Sequence, residues 1–323
     1  MGAIPDSMAF VKESEADVPW HQTGTPVKGL MTAAECLKAA GLDWKVKKEQ
    51  AYHNGQPVLN TFFTVREDNG KVLGTVGQTY DVLQQVDAFS FFDGVAGVKG
   101  SFYETAGSLF GGRRVWLQAR VGGDLILKKG GKEDAIRKYV TLAHAHDGTM
   151  RVMMFEGGVR VVCENTLASA QQNAEAKWGI RHTKAMGAKL VEAREVLGVV
   201  NAAYAELGTA LQRLTEVKVN KVKMEAYFQS LGFDPDAEKG KAKQTFDQLV
   251  ANFEAGAGSD LPTAKGTAYG LYQSVTNFVS HQRGTRMVEG YSSEAEAKRD
   301  SIMFGSSSRL NSLAFEKALA LAK

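Results

Sequence analysis

Cysteine is almost missing from this chain. Its 323 residues hold two, Cys36 and Cys163, too few for a disulfide framework, so small stapled secreted scaffolds are excluded and a reduced, cytoplasmic setting is expected. Proline is scarce too, and Pro5, Pro19 and Pro26 fall in the leader, which frees the remainder for long elements. No stretch approaches the roughly 18 consecutive apolar residues of a membrane span, so no membrane partner is expected. Acidic residues stand in the first twenty positions where an export signal needs an apolar run, which argues against secretion. The familiar catalytic signatures are absent: no phosphate-cradling GxxxxGK[ST] loop, no GxSxG elbow, no HExxH and no CxxC. Nothing therefore calls for a cofactor, a small-molecule substrate or an enzymatic activity.

Charge of one sign is also lacking overall, since 39 Lys and Arg face 36 Asp and Glu. The distribution is more informative. Residues 101–200 hold 15 basic and 10 acidic side chains, a local surplus of 5. Phosphate attraction fades over a Debye length of roughly 8–10 Å, so local surplus matters more than the total.

The patterning predicts an α+β chain, with a central antiparallel sheet and short packed helices followed by a helical C-terminal half. Residues 1–31 read as an irregular leader, 32–183 as a sheet domain and 184–323 as a helical region. Thr32-Ala-Ala-Glu35 has the form of a capping box for a helix over 33–40. Asn54-Gly55 and Asp147-Gly148 are hairpin signals. Strands are expected over 58–66, 72–76, 102–109, 113–121, 138–146, 149–155 and 158–163, with Gly157-Gly158 as a turn and Lys128–Lys132 as an exposed loop. Asn165 reads as the N-cap of a helix over 166–177. Leu190, Leu197, Val200, Tyr204, Leu207, Leu211 and Leu214 form a heptad seam on a helix over 185–216. Gly187, Gly198 and Gly208 weaken that helix, so the seam needs a partner, either a helical layer or a second protomer.

Alternation along 113–121 puts Val115, Leu117, Ala119 and Val121 on one face. Arg114, Trp116, Gln118 and Arg120 fall on the other. The second set is cationic, aromatic and hydrogen-bonding, which is what a single-strand binder needs to hold phosphates and stack bases. Tyr103, Phe110, Arg113, Lys128, Lys129, Arg151 and Arg160 are expected to extend it. The alternative is an ordinary packed sheet with a buried Trp116 and ion-paired arginines. His144, His146 and Asp147 form one tight metal-like cluster, with a turn held by side-chain hydrogen bonds as the alternative.

Trp20-His21-Gln-Thr-Gly24, Gly77-Gln-Thr-Tyr80-Asp-Val-Leu-Gln84 and Tyr103–Arg113 resemble a phage- and plasmid-borne family of unknown function spread by lateral transfer. His146-Asp147-Gly148-Thr149, Arg160–Leu167, Arg181-His182-Thr183, Thr267–His281 and Met303-Phe304-Gly305 continue the resemblance in the same order. It implies a bacterial cytoplasm and genes of replication or recombination as neighbours. The organisation is also similar to that of phage single-strand annealing proteins. The expectation is a DNA-metabolism protein that binds single-stranded DNA on its central sheet and forms a homo-oligomer, with annealing as a further step. The competing expectations are a host-takeover factor acting through protein contacts, and a metal-dependent nuclease or hydrolase at His144, His146 and Asp147.

Overall fold

The computed structural model describes residues 8–11, 25–27, 33–89, 102–160, 165–167, 178–184, 196–235, 240–287, 291 and 293–323. Two sheets carry the N-terminal and central part, and helices make up the C-terminal half, giving the expected α+β class. A helix α1 (Ala33–Ala39) leads into a three-stranded antiparallel sheet of β3 (Val46–His53), β4 (Gln56–Arg66) and β5 (Val72–Val76). The Asn54-Gly55 pair turns β3 into β4 with both residues left-handed, at φ 49° and 79°, as a type I′ hairpin requires.

The larger sheet has nine strands. Its centre is antiparallel: β6 (Phe102–Leu109), β7 (Arg114–Arg120), β9 (Lys132–Ala145) and β10 (Val152–Arg160) lie side by side. The short β1 (Met8–Val11) pairs with β6, and β2 (Thr25–Val27) runs parallel to β1. On the far side β10 carries β11 (Asn165–Leu167) and β12 (Trp178–Ile180), while β8 (Leu125–Lys129) forms a hairpin with β9.

Three expectations are corrected here. Lys128–Lys132 is the tip of the β8–β9 hairpin, not a free loop, because β8 pairs with β9 from Leu125 to Lys129. Gly157-Gly158 is not a turn; β10 runs through it, paired opposite Tyr139 and Lys138 of the 14-residue β9, which templates an uninterrupted ladder. Asn165 pairs with Arg160 as a strand instead of capping a helix. Residues 168–177 lie outside those described.

The helical half comprises α2 (Val196–Glu216), α3 (Lys221–Ser230), α4 (Lys241–Ala255), α5 (Ala268–Asn277), α6 (Glu294–Met303) and α7 (Ser306–Ala320). A single wider turn, Phe278–Gln282, extends α5. The α2 helix packs on β8, β10 and α5. The seam residues Tyr204, Leu207, Leu211 and Leu214 are all buried against that layer; Leu190 and the side chains of Leu197 and Val200 lie outside the description. The described part of the seam is thus spent within the chain. Gly208 explains itself by close approach: a Cβ there would sit 2.5 Å from Leu125 Cδ1.

One buried cluster joins Val115, Leu117, Val140 and Leu142 of the sheet to Leu211, Phe228, Leu249, Tyr272 and Ala314 of five helices. The core therefore crosses the expected boundary at residues 183 and 184. Tyr204 pins the helical layer to the sheet. Its hydroxyl accepts from the amides of Tyr139 and Gly157 at 2.9 and 3.1 Å and donates to the Tyr139 carbonyl at 2.6 Å. Tyr204→Phe leaves those buried groups unanswered and is expected to cost about 1–3 kcal/mol, read from urea unfolding.

Candidate functional site

The site forms where the small sheet meets one end of the large one. The β9–β10 turn begins at His146. Asp147 Oδ1 accepts from the Thr149 amide at 2.9 Å and from its hydroxyl at 2.6 Å, an Asx-type closure. The small sheet lies directly on this turn: a Cβ on Gly74 would stand 2.4 Å from Asp147 Cβ, so only glycine fits. Thr64 Oγ1 donates to the His146 carbonyl at 2.7 Å, and the Tyr80 hydroxyl donates to the Ala145 carbonyl at 2.8 Å. The His146 amide donates to the Arg113 carbonyl at 2.8 Å. Arg66 lies over the Trp44 ring at 4.1 Å and donates to the Gly111 carbonyl.

Three histidines are enclosed at this junction. His144 and His146 have ring centroids 4.8 Å apart, and His182 lies 5.9 Å from His144 and stacks on Tyr80 at 4.7 Å. All three are buried. Burial drives the His144 pKa well below the ordinary histidine value, with the neighbouring His146 and His182 adding to the effect. Burial also brings His146 down to about 3 and His182 to about 4, the latter against the opposing pull of Asp81 and Asp147. The three rings are therefore neutral at pH 7. Among the described residues neither nitrogen of His144 has a hydrogen-bond partner, nor does His146 Nδ1, while His146 Nε2 meets the Gln85 amide at 3.4 Å. Buried polar atoms without partners are costly, so each calls for an explanation. Among the described residues no group of three or more His, Cys, Asp or Glu side chains is set to hold a metal ion. The expected His144–His146 proximity is present, but Asp147 serves the turn instead of completing a ligand set. His182 comes from 36 positions further on, and the spacing within 144–147 carried no sign of it.

Cations ring this end of the sheet. Arg113 is 45% exposed, with Asp147 Oδ2 at 3.9 Å. Arg151 and Arg181 stand next to the paired Val152 and Ile180, so they flank the same strand ends, and both are exposed, as is Lys184. Among the described residues Arg151, Arg181 and Lys184 form no ion pair.

The expected stripe on the sheet face is corrected by burial. Trp116 is only 3% exposed, packed with Leu109, Ala143, Phe155, Met303 and Phe304. Tyr103 lies on the opposite side of the sheet, buried against Phe89. Neither offers a face to a base. Phe110 packs against Tyr291, and its amide donates to Glu296. Arg114 pairs with Asp300 at 2.5 Å, Arg120 with Asp124 at 2.9 Å and Lys128 with Glu133 at 2.8 Å. Lys129 reaches the Thr215 carbonyl and Glu216. The Arg160 side chain lies outside the description. The physical reason is that part of the sheet face is covered: α6 lays Met303 over Trp116 and turns Asp300 toward Arg114. Glu296 and Asp300, one helical turn apart on α6, meet the Phe110 amide and Arg114; sequence reasoning missed both, and their helical spacing is the signal that could have found them. Of the expected binding set, Arg113 and Arg151 remain accessible at the end of the sheet, and Lys128 is exposed at the β8–β9 tip in its pair with Glu133.

The fold and site thus define an α+β protein whose two sheets enclose a neutral histidine cluster beneath a cationic rim. The chain matches the family model of a domain of unknown function, DUF932, over residues 72–303, and it belongs to that family. The matched span takes in every histidine and rim residue above, and most of the small sheet lies ahead of it. No curated protein and no solved structure matches the chain significantly.

Proposed function

We propose that this protein binds single-stranded nucleic acid, DNA in the first place, through its phosphates along the rim of Arg113, Arg151, Arg181 and Lys184. The observation that carries the reading is the convergence of these four exposed cations at one strand end, with Asp147 the one described carboxylate paired among them. The segments 77–84, 111–113, 146–149 and 181–183, far apart in the chain, meet at this point. A phosphodiester backbone is a repeating anion at a spacing that several cations can follow, and its affinity comes from counterion release. Base stacking by Trp116 is no part of this reading.

A labelled oligonucleotide titrated at several salt concentrations tests it. Affinity is expected to fall with salt at a log–log slope of about −0.7 per neutralised phosphate. Combining Arg113→Gln, Arg151→Gln and Arg181→Gln is expected to flatten that slope by about 2 and weaken binding at low salt at least about tenfold, with circular dichroism unchanged. Absence of binding at about 50 mM salt, or a slope untouched by the triple change, would sink the reading.

A further inference from the structure

A second basic site lies in the helical half, remote in sequence from the rim. A cavity of about 550 Å³ opens between the start of α4, the turn after α5 and the start of α7. Its lining includes Lys241, Arg283 and Arg286 and, among the described residues, no acidic residue. Among the described residues none of these three forms an ion pair. Arg283 donates to the Ser306 carbonyl at 3.2 Å; its partial burial disfavours the charged form, and the positive charge of Arg309 nearby adds to the effect. A half-buried guanidinium beside a second cation is disfavoured in its charged form, and an anion at the mouth of the cavity removes that cost.

The helix ends point the same way. The α3, α5 and α6 helices each begin with a side-chain cap, from Asn220, Thr267 and Ser293. The α4 helix instead begins at Gly240 with no side-chain cap, and α7 begins at Gly305, where Ser301 Oγ accepts from the Ser307 amide at 3.3 Å; neither has an acidic residue in the first turn. Both reach the cavity, through Lys241 and Ser306. Each also carries a cation close to its positive end, Lys241 and Arg309, where the helix dipole disfavours one. Local rules broken together around one cavity mark a functional site. Phe233 and Phe278 supply an apolar wall, their rings edge-to-face at 6.4 Å, and the volume lies within the range of small-ligand pockets.

We propose that this cavity binds a nucleotide-sized phosphate ester, its phosphate held by Lys241, Arg283, Arg286 and the first-turn amides of α4, and its base along the Phe233 wall. The site is independent of the rim. Isothermal titration of the full chain with deoxyadenosine monophosphate, deoxyadenosine and inorganic phosphate tests it. The monophosphate is expected to bind, the nucleoside at least about tenfold more weakly, and phosphate more weakly than the monophosphate. Combining Lys241→Gln with Arg286→Gln, both at exposed positions, is expected to weaken the monophosphate at least about tenfold, while the melting temperature stays level or rises because a cation leaves a helix N-terminus. The same variant should keep the oligonucleotide salt slope, and the Arg113, Arg151, Arg181 triple variant should keep monophosphate binding, so the two sites fail separately. No binding of monophosphate at millimolar concentration, binding unchanged in the double variant, or phosphate binding as tightly as the monophosphate would each overturn the assignment.

Discussion

Trp116→Ala is expected to lower the unfolding free energy by about 3–5 kcal/mol, the usual cost of emptying a large aromatic site in a core. The indole stands on β7 opposite Gly107 of β6 and Ala143 of β9. Those two small partners leave room for it, and Leu109, Phe155, Met303 and Phe304 close over it. Little can collapse into the vacancy, because Gly107 has no side chain and the Ala143 methyl has no rotamer that reaches in. The same substitution loosens the contact that seats α6, so the Arg114–Asp300 pair should weaken with it. Asp300→Asn, which strips the partner from a half-buried guanidinium, is the milder companion change. Urea unfolding followed by tryptophan-independent circular dichroism measures both. A loss below about 1 kcal/mol for Trp116→Ala would mean that α6 does not cover the sheet and that the indole is free after all. The outcome also separates the sheet-face stripe from the sheet-end rim: a buried Trp116 contributes to stability, and Trp116→Phe should leave the salt slope of oligonucleotide binding untouched.

How much of this was legible in the residues depends on whether the information was local. Period-two alternation located β5, β6 and β7 to within a residue, and Asn54-Gly55 and Asp147-Gly148 marked real turns, because a strand's pleat and a hairpin's left-handed backbone are written in neighbouring side chains. Gly157-Gly158 misled because a glycine pair permits a turn without requiring one, and the long β9 opposite it decided the matter. Asn165 misled in the same way: its capping chemistry lost to strand pairing with Arg160. The alternation on β7 was correctly read as two faces, but whether a face meets water depends on what a segment 180 residues later does. Arg114 and Asp300 lie 186 positions apart, and only Glu296 and Asp300 at helical spacing hinted at their partner. The histidine cluster was half visible. His144 and His146 are near neighbours, whereas His182 arrives by the pairing of β12 with β10, which no local spacing encodes.

That cluster should make the protein sensitive to mild acid. In the unfolded chain the three histidines titrate near 6.5, whereas in the folded protein His146 and His182 hold out to about 3 and 4, and His144 is likewise displaced well downward. Burial is the leading cause at each, and Arg66 adds repulsion at His146 while Asp81 and Asp147 partly offset it at His182. Between the two sets of values the unfolded state binds more protons, so stability rises with pH. It is fully present above about pH 6.5 and drains away as the pH falls toward 4, by about 1.4 kcal/mol per unit for each ring still neutral in the fold. Against a typical reserve of about 5–15 kcal/mol, three rings acting together bring unfolding within reach near about pH 4.5. Chemical unfolding at half-unit steps from pH 8 to 4 measures the slope. His144→Leu supplies the control that identifies its source. Both His144 nitrogens are buried without partners among the described residues, so an apolar side chain of similar size removes a desolvation cost, and the variant is expected to gain about 1–3 kcal/mol at pH 7.5. It should also lose one ring's share of the pH slope. A wild-type protein whose stability is flat down to pH 5 would show that the rings are solvated or paired. A His144→Leu variant that is less stable at pH 7.5 would show that something does engage those nitrogens. If the expected gain appears, the chain carries a destabilising histidine that an ordinary substitution would relieve, and function becomes the reason for the residue's presence.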